Sequence, residues 1–382
     1  MKNTHLSTAN VSTPSHSLSE PHSLSVLTNE TSQTKQRYGG IDLVRLLAMF
    51  LVVGRHSYFN GYYTAQITPT FLLPAFFLRI CWTCIPLFLI ITGYLQKNKT
   101  FSKRHYGGLI RIILEYLLCS LICLAYKSLY TNFSFVEGIE SIFTFVAAPY
   151  SWYINMFIGL YVLIPFLNLL YNNIASKKLK IMFILLLVFV LSLPATITLA
   201  PNYWAVAYPI MYYYIGCFIR DFKPKINKWV IACILFSILI LQLMLDILPL
   251  KGLLSFIIID NQASIFCLIT SVCLFLLIYD ITIKNKKFSK FIQTLSSLSL
   301  STFLLSWIFD QIIYDNFLNY SLIYTEKLPH LLYLVPTIFI LSMALAFIVN
   351  KITDFIFWIC GKFKNKISNK TNKKLNNIKD SL

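Results

Sequence analysis

Charged residues are scarce in this chain. Asp, Glu, Lys and Arg make up 13% of its 382 residues, whereas apolar residues make up 57%, and the mean hydropathy is +0.66. A water-soluble surface usually needs about a quarter of its residues charged. This shortage excludes a set of soluble domains and predicts a polytopic membrane protein.

Acidic residues are scarcer still, with 15 Asp and Glu against 33 Lys and Arg. In a soluble protein this excess would indicate a nucleic-acid partner, but in membrane proteins Lys and Arg collect on cytoplasmic loops. We therefore expect a lipid bilayer, and no nucleic acid, as the partner.

The nine cysteines form no disulfide framework, and the CxxC pair Cys81 and Cys84 has no accompanying pair or histidine cluster. We predict no metal site.

The chain divides by composition into three parts. Residues 1–38 are rich in Ser and Thr and lack the apolar run that a cleaved signal peptide needs, which predicts a disordered cytoplasmic tail. Residues 39–355 repeat apolar runs of a length that crosses a bilayer, and residues 356–382 form a basic tail. The ten runs lie near 41–58, 72–95, 109–130, 151–171, 179–199, 204–221, 228–248, 262–282, 297–318 and 329–355.

The loop charges predict an orientation for these runs. Lys and Arg concentrate in alternate loops, at 97–104, 177–180, 220–228 and 284–290, whereas the opposite loops carry only Lys251 and Lys327. Cytoplasmic loops are the ones enriched in Lys and Arg. The sequence therefore predicts an all-α, polytopic transmembrane helical bundle with about ten spanning helices and both termini in the cytoplasm.

Ionisable residues occur in the first apolar run, where they are costly and indicate function. Arg45 and His56 are eleven residues apart, which places them on nearly the same helix face and roughly 16 Å apart along the axis. Asp42, three residues before Arg45, can orient its guanidinium. The simpler interpretation is that Arg45 reaches the inner headgroups and His56 lies at the outer interface. Arg55 points away from His56 and can reach outward.

The next two runs add further charges. Arg79 lies near the outer end of the second run and either reaches the interface or faces the same cavity as His56. Arg111 and Glu115 are spaced i,i+4 in the third run, so they can pair. Lys103, Arg104 and Arg111 form a basic rim that suits phosphate groups, although topology alone also explains it.

Five segments together resemble the acyltransferase-3 family of integral membrane acyltransferases. They are IDLVRLLAMFLVVGRH, IPLFLIITGYL, KRHYGGLIRIILEYLL, SWYINMFIGLYVLIPFL and YYYIGCFIRDF. The resemblance covers residues 39 to about 350 and rests on the order of these motifs and the Arg45–His56 spacing. The chain departs from the family at SLSTFLLSWIFDQ, where Ser306 stands at a position that is a histidine in many members.

The resemblance implies a multi-pass protein of the cytoplasmic membrane, and the abundance of Lys, Asn and Ile indicates a bacterial source. It would transfer an acyl group, most often acetyl from cytoplasmic acetyl-CoA, to a hydroxyl of a cell-surface or lipid-linked glycan. The acyl-CoA is then a donor substrate, and no permanently bound cofactor is expected. Arg45 with the rim of Lys103, Arg104 and Arg111 would bind this anionic donor.

Acyl transfer to a sugar hydroxyl needs a group that removes its proton. An imidazole such as that of His56 can do so at neutral pH, or it can carry the acyl group itself. Asp42, Arg45 and Arg79 complete the predicted catalytic set, with Arg79 as a candidate stabiliser of the oxyanion. The aromatic residues Tyr94, Trp152 and Tyr153 either stack on sugar rings or anchor helices at the interface.

Two other classes stay open from the residues alone. A transporter or flippase for a lipid-linked saccharide or an anionic solute also uses buried Arg and His, but the two halves of the chain show no internal repeat. A receptor or scaffold leaves Arg45, Arg79 and Glu115 unexplained.

Overall fold

The computed structural model describes residues 39–59, 72–197, 201–247, 256–318 and 324–379, and these ranges contain helices and loops but no β-strand. The predicted all-α class is thus confirmed, while the predicted tail at 1–38 lies outside the described residues. The helices are α1 (Gly39–Phe59), α2 (Leu72–Cys81), α3 (Cys84–Gln96), α4 (Lys103–Lys127), α5 (Phe135–Phe143), α6 (Trp152–Asn173), α7 (Lys177–Leu187), α8 (Leu193–Thr196), α9 (Tyr208–Phe222), α10 (Lys228–Ile247), α11 (Ile265–Ile278), α12 (Lys286–Ser297), α13 (Ser299–Phe317) and α14 (Tyr324–Lys379).

Several helices have the length and composition of membrane spans. Among the described residues there are six such segments, or seven if α12 and α13, which meet at a 61° bend, form one broken span. The six are Phe76–Gln96, Lys103–Lys127, Trp152–Asn173, Lys177–Thr196, Lys228–Leu245 and His330–Lys362. Each of the ten predicted runs contains a helix. The number of ten spans and the cytoplasmic placement of both termini stay predictions.

Three of the ten predicted runs, those that contain α1, α9 and α11, are not among these segments. Helix α1 has 21 residues, enough to cross the bilayer, but it carries Asp42, Arg45 and Arg55. Helices α9 and α11 are short, with 15 and 14 residues. At the other extreme, α14 continues to Lys379 and does not end at the predicted boundary near residue 355.

Helix α1 lies inside the bundle, in contact with α2, α3, α11, α12, α13 and α14. Apolar side chains along its length are buried, namely Ile41, Val44, Ala48, Met49, Leu51, Val52 and Val53. Asp42 and His56, near its two ends, are also buried. The ionisable groups of α1 therefore face protein on most sides, which is where charged side chains are tolerated at membrane depth.

The second apolar run is divided between α2 and α3. Trp82 and Thr83 form a turn between the two helices, and the Thr83 hydroxyl donates a hydrogen bond to the Ile80 carbonyl at 2.6 Å. Pro86 stands in the first turn of α3, where the N–H that proline lacks would have no partner within the helix. The break therefore costs little backbone hydrogen bonding.

Helices α3 and α9 approach each other backbone to backbone. A Cβ added at Gly93 would lie 1.9 Å from the Tyr213 carbonyl oxygen, and one added at Gly216 would lie 2.1 Å from the Ile90 carbonyl oxygen. Small residues permit such close approach, and membrane helices associate largely through van der Waals packing. This helix pair thus depends on two glycines.

We expect Gly216→Ala to destabilise the protein by at least about 1–3 kcal/mol, because the new methyl group meets backbone that cannot rotate away. The measurement is thermal unfolding of the purified protein in detergent. Gly159→Ala is the matched control, since a Cβ at Gly159 meets nothing within 4 Å. An unchanged melting temperature in Gly216→Ala would show that α3 and α9 do not pack as described.

Candidate active site

The His56 ring, near the end of α1, is held between two other elements. It stacks on the Tyr150 ring with the centroids 3.5 Å apart and the planes 28° apart. Its Nδ1 atom lies 3.4 Å from Asp310 Oδ2, which comes from the middle of α13. His56 is 7% exposed and Asp310 is fully buried. The imidazole therefore has a fixed plane and a carboxylate beside one of its two nitrogens.

Tyr150 connects the two partners of His56. Its hydroxyl donates a 2.7 Å hydrogen bond to the same Asp310 oxygen that faces the imidazole. The other Asp310 oxygen, Oδ1, is buried and accepts no hydrogen bond from the described residues. A buried carboxylate is costly unless it is paired and hydrogen-bonded. His56, Tyr150 and Asp310 thus form one compact polar group, which we call the His56 cluster.

The loop that carries Tyr150 is fixed by its own hydrogen bonds. The Ser151 hydroxyl contacts the carbonyl oxygens of Phe145 and Ala148. The Lys127 ammonium, at the end of α4, donates to the Val146 carbonyl at 3.1 Å. Residues on loops are usually mobile, so these bonds give Tyr150 the rigidity that a functional position requires.

A second polar group lies at the opposite end of α1. The Asp42 carboxylate accepts a 2.6 Å hydrogen bond from Ser296 of α12 and lies 3.4 Å from the Arg45 guanidinium. The predicted Asp42–Arg45 contact is therefore present. Asp42 is buried, whereas the Arg45 side chain is 22% exposed. The carboxylate orients a guanidinium that is still accessible to a ligand.

A cavity of about 260 Å³ extends from Arg45 toward the His56 cluster. Its lining includes Arg45, Ile85, Phe88, Thr92, Gln96, Ile112, Tyr153, Phe157, Ser296, Ser297, Ser299 and Phe303. Phe303 lies next to both the cavity and the His56 cluster. Its ring centroid is 6.2 Å from that of His56 and 5.4 Å from that of Tyr153, which also lines the cavity. The Phe303 ring thus borders both the cavity and the His56 cluster, although His56 itself is not among the lining residues.

The cavity also contains an unsatisfied acceptor. Gln96 Oε1 is buried and accepts no hydrogen bond from the described residues. Buried polar atoms normally have a partner, so a rotation of the Gln96 side chain into the cavity would let this oxygen accept an N–H of a ligand. The cavity therefore combines a cation, an amide oxygen and apolar walls, which is the usual make-up of a small-molecule site.

A comparison with protein families identifies the class of protein. The family model described as an acyltransferase domain, that of the acyltransferase-3 family, matches residues 38–351. This chain belongs to that family. Searches of curated proteins and of solved structures gave no match. The protein is a multi-pass membrane acyltransferase, so its family favours acyl transfer over the transport that the residues alone left open.

In this acyltransferase, Arg79 pairs with Asp260. Asp260 lies in the segment before α11 and is half exposed, while the Arg79 side chain is 10% exposed. Arg55, the neighbour of His56, packs its guanidinium 3.7 Å from the centre of the Trp82 ring. The role of Arg79 as an oxyanion stabiliser stays a prediction.

The predicted basic rim of the acyltransferase is divided in the structure. Lys103 and Arg104 are exposed at the start of α4. Arg111 instead donates to Glu115 of its own helix and to Asp354 of α14, each at 2.9 Å. The predicted Arg111–Glu115 pair is therefore present. Because two carboxylates already neutralise Arg111, Lys103 and Arg104 are the better partners for a phosphate group.

The three predicted sugar-binding aromatics of the acyltransferase occupy different surroundings. Tyr153 lines the cavity beside Arg45. Trp152 is 47% exposed and meets Tyr153 edge to face. Tyr94 is buried against Phe275 of α11 and Tyr279 just after it, where it packs helices together. Only Tyr153 of the three lies on the described cavity.

Sequence reasoning missed two members of the His56 cluster. Asp310 was detectable, because it is an acidic residue within an apolar run and such residues indicate function. Tyr150 carries no such signal, since an aromatic residue before a membrane helix is ordinary.

The described residues contain no group of three His, Cys, Asp or Glu side chains that could hold a metal ion.

Arg45→Ala is expected to raise the KM for the acyl donor by about 10-fold or more, which corresponds to about 1.4 kcal/mol of lost binding. Arg45 is a cation at one end of the cavity, and charge-assisted hydrogen bonds to anionic groups are among the stronger ones. The measurement is the donor dependence of the initial rate. Lys178→Ala, an exposed cation at the start of α7, should leave KM unchanged. Equal KM values in wild type and Arg45→Ala would remove Arg45 from the donor site.

Proposed function

We propose that this acyltransferase moves an acetyl group from cytoplasmic acetyl-CoA to a hydroxyl of a cell-surface or lipid-linked glycan in the bacterial cytoplasmic membrane. The observation that carries the proposal is that Phe303 borders both the cavity beside Arg45 and the His56 cluster. A cavity suited to an anionic donor and a histidine with a fixed orientation are therefore neighbours.

The donor would enter from the Arg45 end. A cavity of about 260 Å³ is below the usual range for a whole ligand and suits the pantetheine arm and its acetyl group. The Gln96 oxygen would accept a hydrogen bond from an amide N–H of that arm. The nucleotide phosphates would stay at the rim, where Lys103 and Arg104 are exposed.

His56 would perform the proton transfer. Because Nδ1 faces Asp310, Nε2 is the nitrogen that takes the proton from the acceptor hydroxyl. The hydroxyl oxygen then attacks the thioester carbonyl, the C–S bond breaks, and the thiolate of CoA receives the proton from the imidazolium. The Asp310 carboxylate stabilises the imidazolium between these two steps.

The second version uses His56 as a nucleophile. Nε2 attacks the thioester carbonyl, the C–S bond breaks and CoA leaves as the thiolate, so that the imidazole carries the acetyl group. The acceptor oxygen then attacks this carbonyl, the N–C bond breaks, and the hydroxyl proton is released to solvent, where it protonates the thiolate. Both versions need the same orientation of the ring, and the His56 cluster supports them equally.

The test uses inverted membrane vesicles that contain the protein, so that the predicted cytoplasmic face is outside. Vesicles receive acetyl-CoA labelled in the acetyl group, and glycan and lipid-linked saccharide are extracted and counted. The expected result is label in a saccharide fraction, absent from vesicles without the protein and from vesicles with His56→Ala. Transfer from labelled longer-chain acyl-CoA in place of acetyl-CoA would overturn the acetyl assignment, and label confined to lipid without sugar would overturn the glycan acceptor.

A further inference from the structure

A second cavity, of about 1030 Å³, lies between the end of α4 and α13. We call it the α4–α13 cavity. Its lining includes Tyr126, Lys127 and Tyr130 from one side and Trp307, Gln311 and Asp315 from the other. Its volume lies at the upper end of the range for ligand sites in proteins.

The α4–α13 cavity lies at the His56 end of the bundle. Helix α13 contacts α4 along its length, since the Cys123 thiol faces the Leu304 carbonyl and Tyr126 packs edge to face on Trp307. Helix α13 also brings Asp310 to His56. The end of α4 that lines the cavity therefore lies at the same level as the His56 cluster, on the side that the loop charges predict to be extracytoplasmic.

The cavity and the His56 cluster share two structural elements. Trp307 and Asp310 are three residues apart on α13, which is nearly one turn, so the cavity and the His56 cluster contact neighbouring positions on one side of the same helix. Lys127, in the cavity, holds the carbonyl of Val146, and the same loop continues to Tyr150, which stacks on His56. A ligand in the cavity would thus lie against the same helix and the same loop that hold the imidazole.

The lining of the cavity has the chemistry of a saccharide site. Three aromatic rings cluster there, with Tyr126 5.7 Å from Trp307 and 5.2 Å from Tyr130, centroid to centroid. Flat aromatic faces pack against the C–H-rich face of a sugar ring, because both surfaces are apolar. Amide, carboxylate, hydroxyl and ammonium groups surround them, from Gln311, Asp315, Asn316, Thr131 and Lys127. These groups supply both donors and acceptors for sugar hydroxyls.

Gln311 is a good hydrogen-bonding group for such a ligand. Its side chain is partly exposed in the cavity and makes no hydrogen bond within the described part of the chain. An interfacial aromatic belt would explain Trp307 and the two tyrosines, but it would not explain a cavity of this size lined by an amide and a carboxylate.

We infer that the α4–α13 cavity is an acceptor subsite, which binds a sugar unit next to the one that receives the acyl group. The inference rests on the proposed function, because it takes a glycan as the acceptor. It adds the residues that recognise this glycan and the prediction that recognition extends beyond the reacting sugar. The rings of Trp307, Tyr126 and Tyr130 provide the stacking surface. The side chains of Gln311 and Asp315 form hydrogen bonds with the sugar hydroxyls.

The experiment measures binding, so that it does not depend on acyl transfer. Purified full-length protein in nanodiscs is incubated with two saccharide probes from the source cells. One is soluble oligosaccharide released from the envelope by mild acid, and the other is lipid-linked saccharide extracted with organic solvent. Wild type, Trp307→Ala, Gln311→Ala and Trp204→Ala are compared. Trp204 is a matched control, because it is 68% exposed in the segment before α9 and lines neither cavity.

We expect Trp307→Ala to weaken saccharide binding by about 10-fold and Gln311→Ala by a few-fold, with Trp204→Ala equal to wild type. Binding of the soluble probe indicates a finished glycan as the ligand, and binding of the lipid-linked probe alone indicates a precursor. Acetyl-CoA binding by the same samples should be unchanged in all variants, which verifies that they are folded. Wild-type affinity for both probes in Trp307→Ala and Gln311→Ala would overturn the inference, as would failure of wild type to bind either probe. Absence of label transfer in the vesicle assay would instead contradict the proposed function.

Discussion

His56→Ala is expected to lower the rate of acyl transfer by at least about 100-fold, with an unchanged amount of folded protein. The imidazole is the group that takes the proton or the acyl group in either version of the reaction, and no described neighbour can replace it. The Tyr150 hydroxyl is a weak base at neutral pH. The Asp310 carboxylate lies on the Nδ1 side of the imidazole and is fully buried. The measurement is the initial rate of labelled acetyl transfer at matched protein amounts.

A control histidine makes the result for His56 specific. His330 lies on α14 and lines neither cavity, so His330→Ala should keep the wild-type rate. Imidazole added to the medium should restore part of the activity of His56→Ala, since it fits the space that the side chain leaves. Transfer at the wild-type rate by His56→Ala would contradict both versions of the mechanism.

The two versions differ in what happens without an acceptor. If His56 carries the acetyl group, wild-type protein given labelled acetyl-CoA alone becomes labelled, releases CoA in one burst, and loses the label to hydroxylamine. If His56 is a general base, the protein stays unlabelled and CoA is released only when the acceptor is added. The His56→Ala protein should be unlabelled in both cases, which makes it the background sample.

The parts of the fold that follow from local composition were predictable. Long apolar runs form helices because lipid offers no other partner for backbone N–H and C=O groups. The pairs Asp42–Arg45 and Arg111–Glu115 were predictable from their spacing on a helix, and both are present. Interactions three or four residues apart depend on helix geometry alone.

The parts that depend on long-range packing were not predictable from spacing. The Asp42 carboxylate contacts Ser296, and the His56 ring contacts Asp310, although both partners are far away in the sequence. Which helices approach each other at each level is decided by packing across the bundle, as where Gly93 of α3 faces the Tyr213 backbone and Gly216 of α9 faces the Ile90 backbone. The pairing of Arg111 with Asp354 of α14 also requires the folded arrangement.

The α12–α13 bend illustrates the same limit. The predicted ninth run, 297–318, begins at this bend and corresponds to α13, but helix α12 before it was not predicted; α12 ends at Ser297 and α13 begins at Ser299 with a 61° change of direction. The Ser299 hydroxyl donates to the Ser296 carbonyl at 2.6 Å, so a side chain satisfies backbone at the bend. The bend places Ser296, Ser297 and Ser299 on the cavity that contains Arg45. The end of the unpredicted helix α12 and the start of α13 thus form a wall of the candidate donor site.

Asp310→Asn is expected to lower kcat by about 100-fold, with little change in the KM for either substrate. The carboxylate orients the imidazole through Nδ1 and stabilises its protonated form, whereas an amide of the same shape has no charge and can present N–H to Nδ1 in place of an acceptor. Because Asp310 acts through His56, it is a positioning residue, and loss confined to kcat is the signature of that role. The measurement is the separate dependence of the rate on donor and acceptor.

Tyr150→Phe provides the second arm of this experiment. It removes the 2.7 Å hydrogen bond to Asp310 but keeps the ring that stacks on His56, so kcat should fall only several-fold. In the double variant with both Asp310→Asn and Tyr150→Phe, the losses of kcat should not add. The Tyr150 hydroxyl supports catalysis only while residue 310 is a carboxylate. Asp280→Asn, a half-exposed partner of Lys228, is the control and should keep wild-type kinetics. Additive effects, or a rise in donor KM with unchanged kcat in Asp310→Asn, would show that the carboxylate supports the fold or the donor cavity and does not act on the histidine.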